Sequence, residues 1–132
     1  MSEKILVVDD SRDTLEMMTR LLEMESFNVI TAADGRAGFD TAKAERPDII
    51  ITDINMPVLN GIEMIRLLRS EREFTGVPIM AITAYGSGIA KEALAAGANR
   101  AATKPVDFET LISGIRQLLD SSASSPANGI TG

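Results

Sequence analysis

The stretch Ile5-Leu6-Val7-Val8-Asp9-Asp10 sets four apolar residues in a row directly before two carboxylates. A run that does not alternate with polar residues reads as a strand covered on both faces, the mark of a parallel sheet. The pattern recurs at Ile49-Ile50-Ile51, leading into Thr52-Asp53, and at Ile79-Met80-Ala81-Ile82, leading into Thr83. Val29-Ile30 and Ala101-Ala102-Thr103 are shorter or weaker runs, as edge strands should be.

Segments with helical spacing lie between these runs. Leu15, Met18, Leu21 and Leu22 share one face behind Ser11 as N-cap. Asp34 caps a second helix carrying Phe39 and Ala42, with Pro47 beyond its end. Gly38 inside that helix should cost up to ~1 kcal/mol relative to Ala. Ile62, Ile65 and Leu68 make a third face. Ala90, Ala93 and Leu94 make a fourth, ended by Gly97. Phe108, Leu111, Ile115, Leu118 and Leu119 make a fifth, capped by Asp107. The reading is an α/β chain of the (βα)5 kind, a doubly wound parallel sheet of five strands. Met17, Met18, Met24, Met64 and Met80 read as core gap-fillers. Residues 1–120 form one domain. Ser121–Gly132 is rich in Ser, Ala and Gly, carries no charged side chain, and reads as a flexible tail or truncated linker.

Composition narrows the chemistry. The 132 residues include no Cys and no His, which removes thiol and imidazole nucleophiles, His general bases and Cys or His metal ligands. Lys plus Arg is 13 and Asp plus Glu is 19, a net charge of −6, which argues against nucleic acid and anionic lipid as partners. The apolar run at Ile5–Val8 is too short for a signal segment or a membrane span, so the expected location is the cytoplasm, without membrane insertion.

The carboxyl ends of parallel strands share one edge, where ligands bind in such sheets. Asp9 and Asp10, Asp53, Thr83 and Lys104 are the polar residues at the ends of the first, third, fourth and fifth strands. Singly, each has a plain structural reading: an N-cap, a turn acid, a β-favouring Thr, a loop Lys. Together they put three acids, a hydroxyl and an amine in one crevice. Two carboxylates ~4 Å apart repel by about 4 kcal/mol at an effective dielectric near 20. A hard cation with oxygen ligands, Mg²⁺ above all, relieves that repulsion. An Asp can itself be the nucleophile and form an aspartyl-phosphate. The chemistry suggested is Mg²⁺-assisted phosphoryl transfer onto a carboxylate.

On these residues the chain resembles the receiver domain of bacterial two-component response regulators. The resemblance is carried by Ile5–Asp10, Asp48–Pro57, Asn60-Gly61, Ile79–Ala84, Gly97-Ala98 and Thr103-Lys104-Pro105, and it spans Lys4 to Leu119. It implies a flavodoxin-like strand order 2-1-3-4-5. Asp53 is then the phosphoacceptor, and Asp10, Asp53 and the backbone carbonyl of Asn55 are Mg²⁺ ligands, with Asp9 acting mainly through water. Thr83 is the switch hydroxyl, Lys104 its charged partner, and the Lys104-Pro105 peptide is cis. The donor is a phosphohistidine on a histidine kinase or phosphotransfer protein, and the output is a downstream protein target. The domain catalyses its own modification and turns over no external substrate.

Two departures stand out. Ala101 occupies the position where many receivers carry an aromatic that moves with the switch Thr, and the segment from Thr83 to Lys104 is one residue shorter than common. Gly86-Ser87-Gly88 within it should loosen the start of the fourth helix. Tyr85, the only tyrosine, reads either as a shield over the site or as a plain surface residue. A Mg²⁺-dependent aspartyl-phosphate phosphatase, a phosphorelay shuttle without direct output and a flavin-binding module of the same fold are the competing readings. Adjacent Asp9-Asp10 instead of an Asp-x-Asp pair disfavours the phosphatase, and the same acids would repel a flavin phosphate.

Overall fold

The computed structural model describes residues 2–131 apart from Pro57 and Tyr85, with side chains through residue 121 apart from Ser87. The order is β1 (Lys4–Val8), α1 (Arg12–Met24), β2 (Asn28–Ala32), α2 (Gly35–Glu45), β3 (Ile49–Asp53), α3 (Gly61–Arg69), a 3₁₀ turn at Arg72–Phe74, β4 (Ile79–Thr83), α4 (Ser87–Ala96), β5 (Arg100–Thr103) and α5 (Phe108–Thr131). All pairings are parallel and the sheet order is β2-β1-β3-β4-β5. The architecture expected from the sequence is the one found.

The continuous apolar strands now have their reason. Along β1, Ile5 and Val7 enter one hydrophobic layer while Leu6 and Val8 enter the other. Ile49 and Ile51 part from Ile50 in the same way. One layer is completed by Met18 and Leu22 of α1 and by Leu111 and Ile115 of α5. The opposite layer takes Ala42 of α2, Met64, Ile65 and Leu68 of α3, and Ala93 of α4. Each fully buried Ile or Leu stabilises the fold by ~1.5–3 kcal/mol relative to an exposed one. Phe74, brought inward by the 3₁₀ turn, is buried in the second layer and carried no periodic signal in the sequence.

Ser11 and Asp34 cap their helices as expected, and α3 has a cap that was not read from the sequence. Ser11 accepts from the Thr14 N–H at 3.3 Å, and Asp34 accepts from the Ala37 N–H at 2.8 Å. Asn60 and Glu63 form a reciprocal capping box on α3. Gly38 sits where a Cβ would come within 3.0 Å or less of Val8 and Met64 side chains, so close packing of α2 on β1 explains its place inside a helix. Arg69 ties the end of α3 to its surroundings. It donates to the carbonyls of Gly97 at 2.9 Å and Val77 at 2.8 Å, to that of Phe74, and to Asn99 Oδ1 at 2.8 Å. Burial pushes the guanidinium pKa down from its ordinary value.

Two expectations need correction, that for the methionines and that for α4. Met18, Met64 and Met80 are buried, but Met17 is 53% and Met24 78% exposed, because both fall on the outer face of α1. Among the described residues of α4, only Ala93 is fully enclosed and Leu94 is 45% exposed, since a helix of mostly small residues reaches the core at few points. Val58 lies at φ +69°, a left-handed conformation that strains a β-branched side chain. The α5 backbone continues through the segment read as a tail; its side chains from 122 on lie outside the described residues.

Candidate functional site

The four strand ends meet as the parallel sheet requires. Asp9 follows β1, Asp53 closes β3, Thr83 closes β4 and Lys104 follows β5. Backbone bonds fix these ends. The Asp9 N–H donates to Ala32 O at 3.1 Å, the Ile54 N–H to Ile82 O at 3.1 Å, and the Lys104 N–H to Thr83 O at 2.8 Å. Ligand oxygens of Asp9, Asp10 and Asp53 lie within 4.8 Å of one another. Lys104 Nζ stands 3.8 Å from Asp9 Oδ2 and 3.7 Å from Asp53 Oδ1. Asp9, Asp53 and Thr83 are buried, whereas Asp10 and Asn55 are exposed.

The Asp53 carboxyl pKa is raised from the ordinary value. Burial is the largest cause and the Asp9 charge the next; Lys104 and the backbone N–H groups of Asn55 and Ile54 pull the other way. One ammonium therefore does not balance the acids. A cluster of carboxylates with only oxygen donors suits a hard divalent cation, which Asp9, Asp10 and Asp53 are placed to hold. Ser11 holds this geometry in a way its sequence did not reveal. Its N–H donates to Asp9 Oδ1 at 2.9 Å while its hydroxyl caps α1. The Lys104-Pro105 peptide is cis, as the resemblance implied. Ala101 is half-buried against the α4 side of the core. Tyr85, and with it the shielding role, lies outside the described residues.

A mostly apolar cleft of about 560 Å³ opens beside Asp9, Asp53 and Lys104. Met17, Met18 and Leu21 of α1 form one wall, and Val106, Phe108 and Leu111 the other. No periodicity announces such a cleft, because residues of α1, of three strands and of the start of α5 line it together. Among the described residues, no helix is long and apolar enough to cross a membrane.

Comparison with known proteins agrees with this geometry. Residues 5–116 match the model of the response regulator receiver domain. The chain is 36% identical over 117 residues to protein PilH of Pseudomonas aeruginosa, covering 88% of this chain and 97% of that one. It is 39% identical over 120 residues to the response regulator MprA of Mycolicibacterium vanbaalenii, covering 90% of this chain but 51% of that one. It thus spans about half the length of several curated relatives that it matches. Among solved structures, the chemotaxis response regulator CheY4 of Vibrio cholerae superposes with a TM-score of 0.83 at 34% identity, over 89% of this chain and 99% of that one. A CheY-like receiver domain protein of Methanospirillum hungatei gives 0.88 at 28% identity, over 95% and 99%. A receiver match over most of the sheet, on strand ends that gather these acids around one lysine, settles the family: the chain belongs to the receiver domains of two-component response regulators.

Proposed function

We propose that this receiver takes a phosphoryl group from a partner's phosphohistidine onto Asp53, with Mg²⁺, and thereby changes the surface it offers a target protein. The observation that carries the reading is the set of three carboxylates within 4.8 Å of one another, two of which, Asp9 and Asp53, face Lys104 at 3.8 and 3.7 Å. Asp10, Asp53 and the Asn55 backbone carbonyl would hold the metal, with Asp9 acting through water. When bound, Mg²⁺ supplies positive charge that offsets the carboxylates and the transferring phosphoryl oxygens.

An Asp53 carboxylate oxygen attacks phosphorus in line with the leaving imidazole. The P–N bond breaks, its electron pair returns to the imidazole nitrogen, and that nitrogen takes a proton from water. Catalysis is positioning and charge stabilisation, with Lys104 already beside the attacking carboxylate. The cleft next to Asp53 gives the donor's apolar residues a place to seat during transfer. Afterwards the phosphoryl oxygens attract Lys104 and the Thr83 hydroxyl. α4 suits the responding role, because its N-cap is a glycine, Gly86, with no side chain to cap the helix, and nothing lies within 4 Å of where a Cβ on Gly86 or Gly88 would be. With Ala101 in place of an aromatic, the response runs through α4 itself.

Incubation with Mg²⁺ and a small acyl phosphate tests the assignment. Intact mass should rise by one phosphoryl group, and Asp53→Asn should abolish the rise. An unchanged gain in Asp53→Asn would remove Asp53 from the role.

A further inference from the structure

We infer that Gly35, the first residue of α2, is a positioning residue for the β3–α3 loop and so sets the affinity of the metal site from outside it. The inference rests on the reading above that the Asn55 backbone carbonyl is a metal ligand. Glycines meet the β3–α3 connection at Ile54 and at Leu59. Gly61 donates its N–H to Ile54 O at 2.9 Å, and a Cβ on it would lie 2.4 Å from Asp53 O. At the other end, a Cβ on Gly35 would lie 1.9 Å from Leu59 O and 2.7 Å from Leu59 C. That is backbone against backbone, so no side-chain rotation can relieve an added methyl.

The loop between these contacts needs such a constraint. Val58, next to Leu59, holds φ +69° although it is β-branched. Its side chain is 83% exposed, so its own packing does not impose that conformation. Strained backbone of this kind persists only where the surroundings over-determine it. Leu59, pressed on Gly35, supplies the constraint on the C-terminal side. If the contact is forced apart, Val58 relaxes toward the extended region and Asn55 moves with the loop. Outer-shell partners of metal ligands commonly govern affinity by ~10–100-fold.

The experiment compares Mg²⁺ affinity, by titration calorimetry, with stability, by urea unfolding, in the full chain. Gly35→Ala should weaken Mg²⁺ binding by about tenfold or more. Gly38→Ala is the control. It adds a methyl on the same helix whose nearest neighbours are side-chain atoms of Met64 and Val8, so it should lower stability while leaving Mg²⁺ affinity at the wild-type value. Val58→Asn, which tolerates the left-handed region, should restore part of the affinity when added to Gly35→Ala. Should Gly35→Ala fail to fold, Asp34→Ala frays the same helical turn without adding an atom, and it should show a smaller loss in the same direction. Wild-type affinity in folded Gly35→Ala or, failing that, Asp34→Ala overturns the inference. A wild type that binds no Mg²⁺ overturns the metal reading and the inference with it.

Discussion

Replacing Asp53 by Asn should make the metal-free protein more stable, although it destroys the proposed phosphoacceptor. The Asp53 oxygen shares a 4.8 Å neighbourhood with oxygens of Asp9 and Asp10. At that separation each repulsion is about 3.5 kcal/mol at an effective dielectric near 20. Lys104, 3.7 Å away, returns about 4.5 kcal/mol on the same scale. Asp10 and Lys104 are both exposed, so their contributions shrink further. Desolvation of the buried carboxylate remains on the unfavourable side. The net gain expected for Asp53→Asn at neutral pH without Mg²⁺ is about 1–3 kcal/mol. The sign with pH follows from linkage. The folded carboxyl pKa is raised above the ordinary 3.8, so the folded state binds more protons and stability falls as pH rises through that interval. The two proteins should therefore have similar stability below the ordinary carboxylate range and diverge above it. Mg²⁺ should narrow the gap, because it stabilises the wild type by mass action. Urea unfolding at several pH values, with chelator and then with Mg²⁺, measures all of this. Equal or lower stability of Asp53→Asn at neutral pH without metal would refute the charge accounting.

Ser11→Ala should lose about 1 kcal/mol from the N-cap of α1 yet keep Mg²⁺ affinity, since Asp9 is held by the residue-11 backbone N–H at 2.9 Å. Parallel urea and calorimetric titrations separate the two effects; weaker metal binding would show that the hydroxyl matters to the site. Arg69→Met should cost about 2–4 kcal/mol by urea unfolding, because it leaves three carbonyls and Asn99 without their charged donor. A loss under about 1 kcal/mol would mean that water replaces the guanidinium there. Val58→Asn should gain about 1 kcal/mol by removing a β-branched residue from the left-handed region. A loss of stability in the same assay would mean that the loop does not hold that conformation.

Fold and site were legible for one shared reason. The runs Ile5–Val8, Ile49–Ile51 and Ile79–Ile82 announced strands buried on both faces, and such strands put their carboxyl ends on one edge. Asp9, Asp10, Asp53, Thr83 and Lys104 then followed from where the runs stop. Features made by chain segments distant in sequence did not follow. The outward turn of Met17 and Met24 depends on how α1 is rotated on the sheet, and an apolar side chain carries no mark of its direction. Phe74 owes its burial to a single 3₁₀ turn, too short to have a period. Gly38 read only as a helix-weakening residue and Gly35 carried no reading, and the structure shows that Gly35 meets the Leu59 backbone and Gly38 meets core side chains.

Those glycines also bear on how the site gets its geometry. A strand with one polar face has its register set by its pattern, since a slip of one residue would turn the polar face inward. β1 and β3 lack that safeguard: moving Ile49-Ile50-Ile51 by one position still leaves both faces apolar. The polar end of the strand must supply the discrimination. In the observed register Val8 pairs with Thr52 and Asp53 with Ile82. A slip by one would carry the Asp53 carboxylate to the other face, and into an apolar layer if drawn inward, where an unpaired charge costs several kcal/mol. Slipping the other way would withdraw it from Lys104. Close approach adds a shape requirement, because a Cβ at position 38 would meet Met64 and Val8 and one at position 61 would meet Asp53 and Ile54, so only glycine lets α2 and α3 sit this near the strand ends. The residues of the candidate site therefore help to choose the strand register that brings them together.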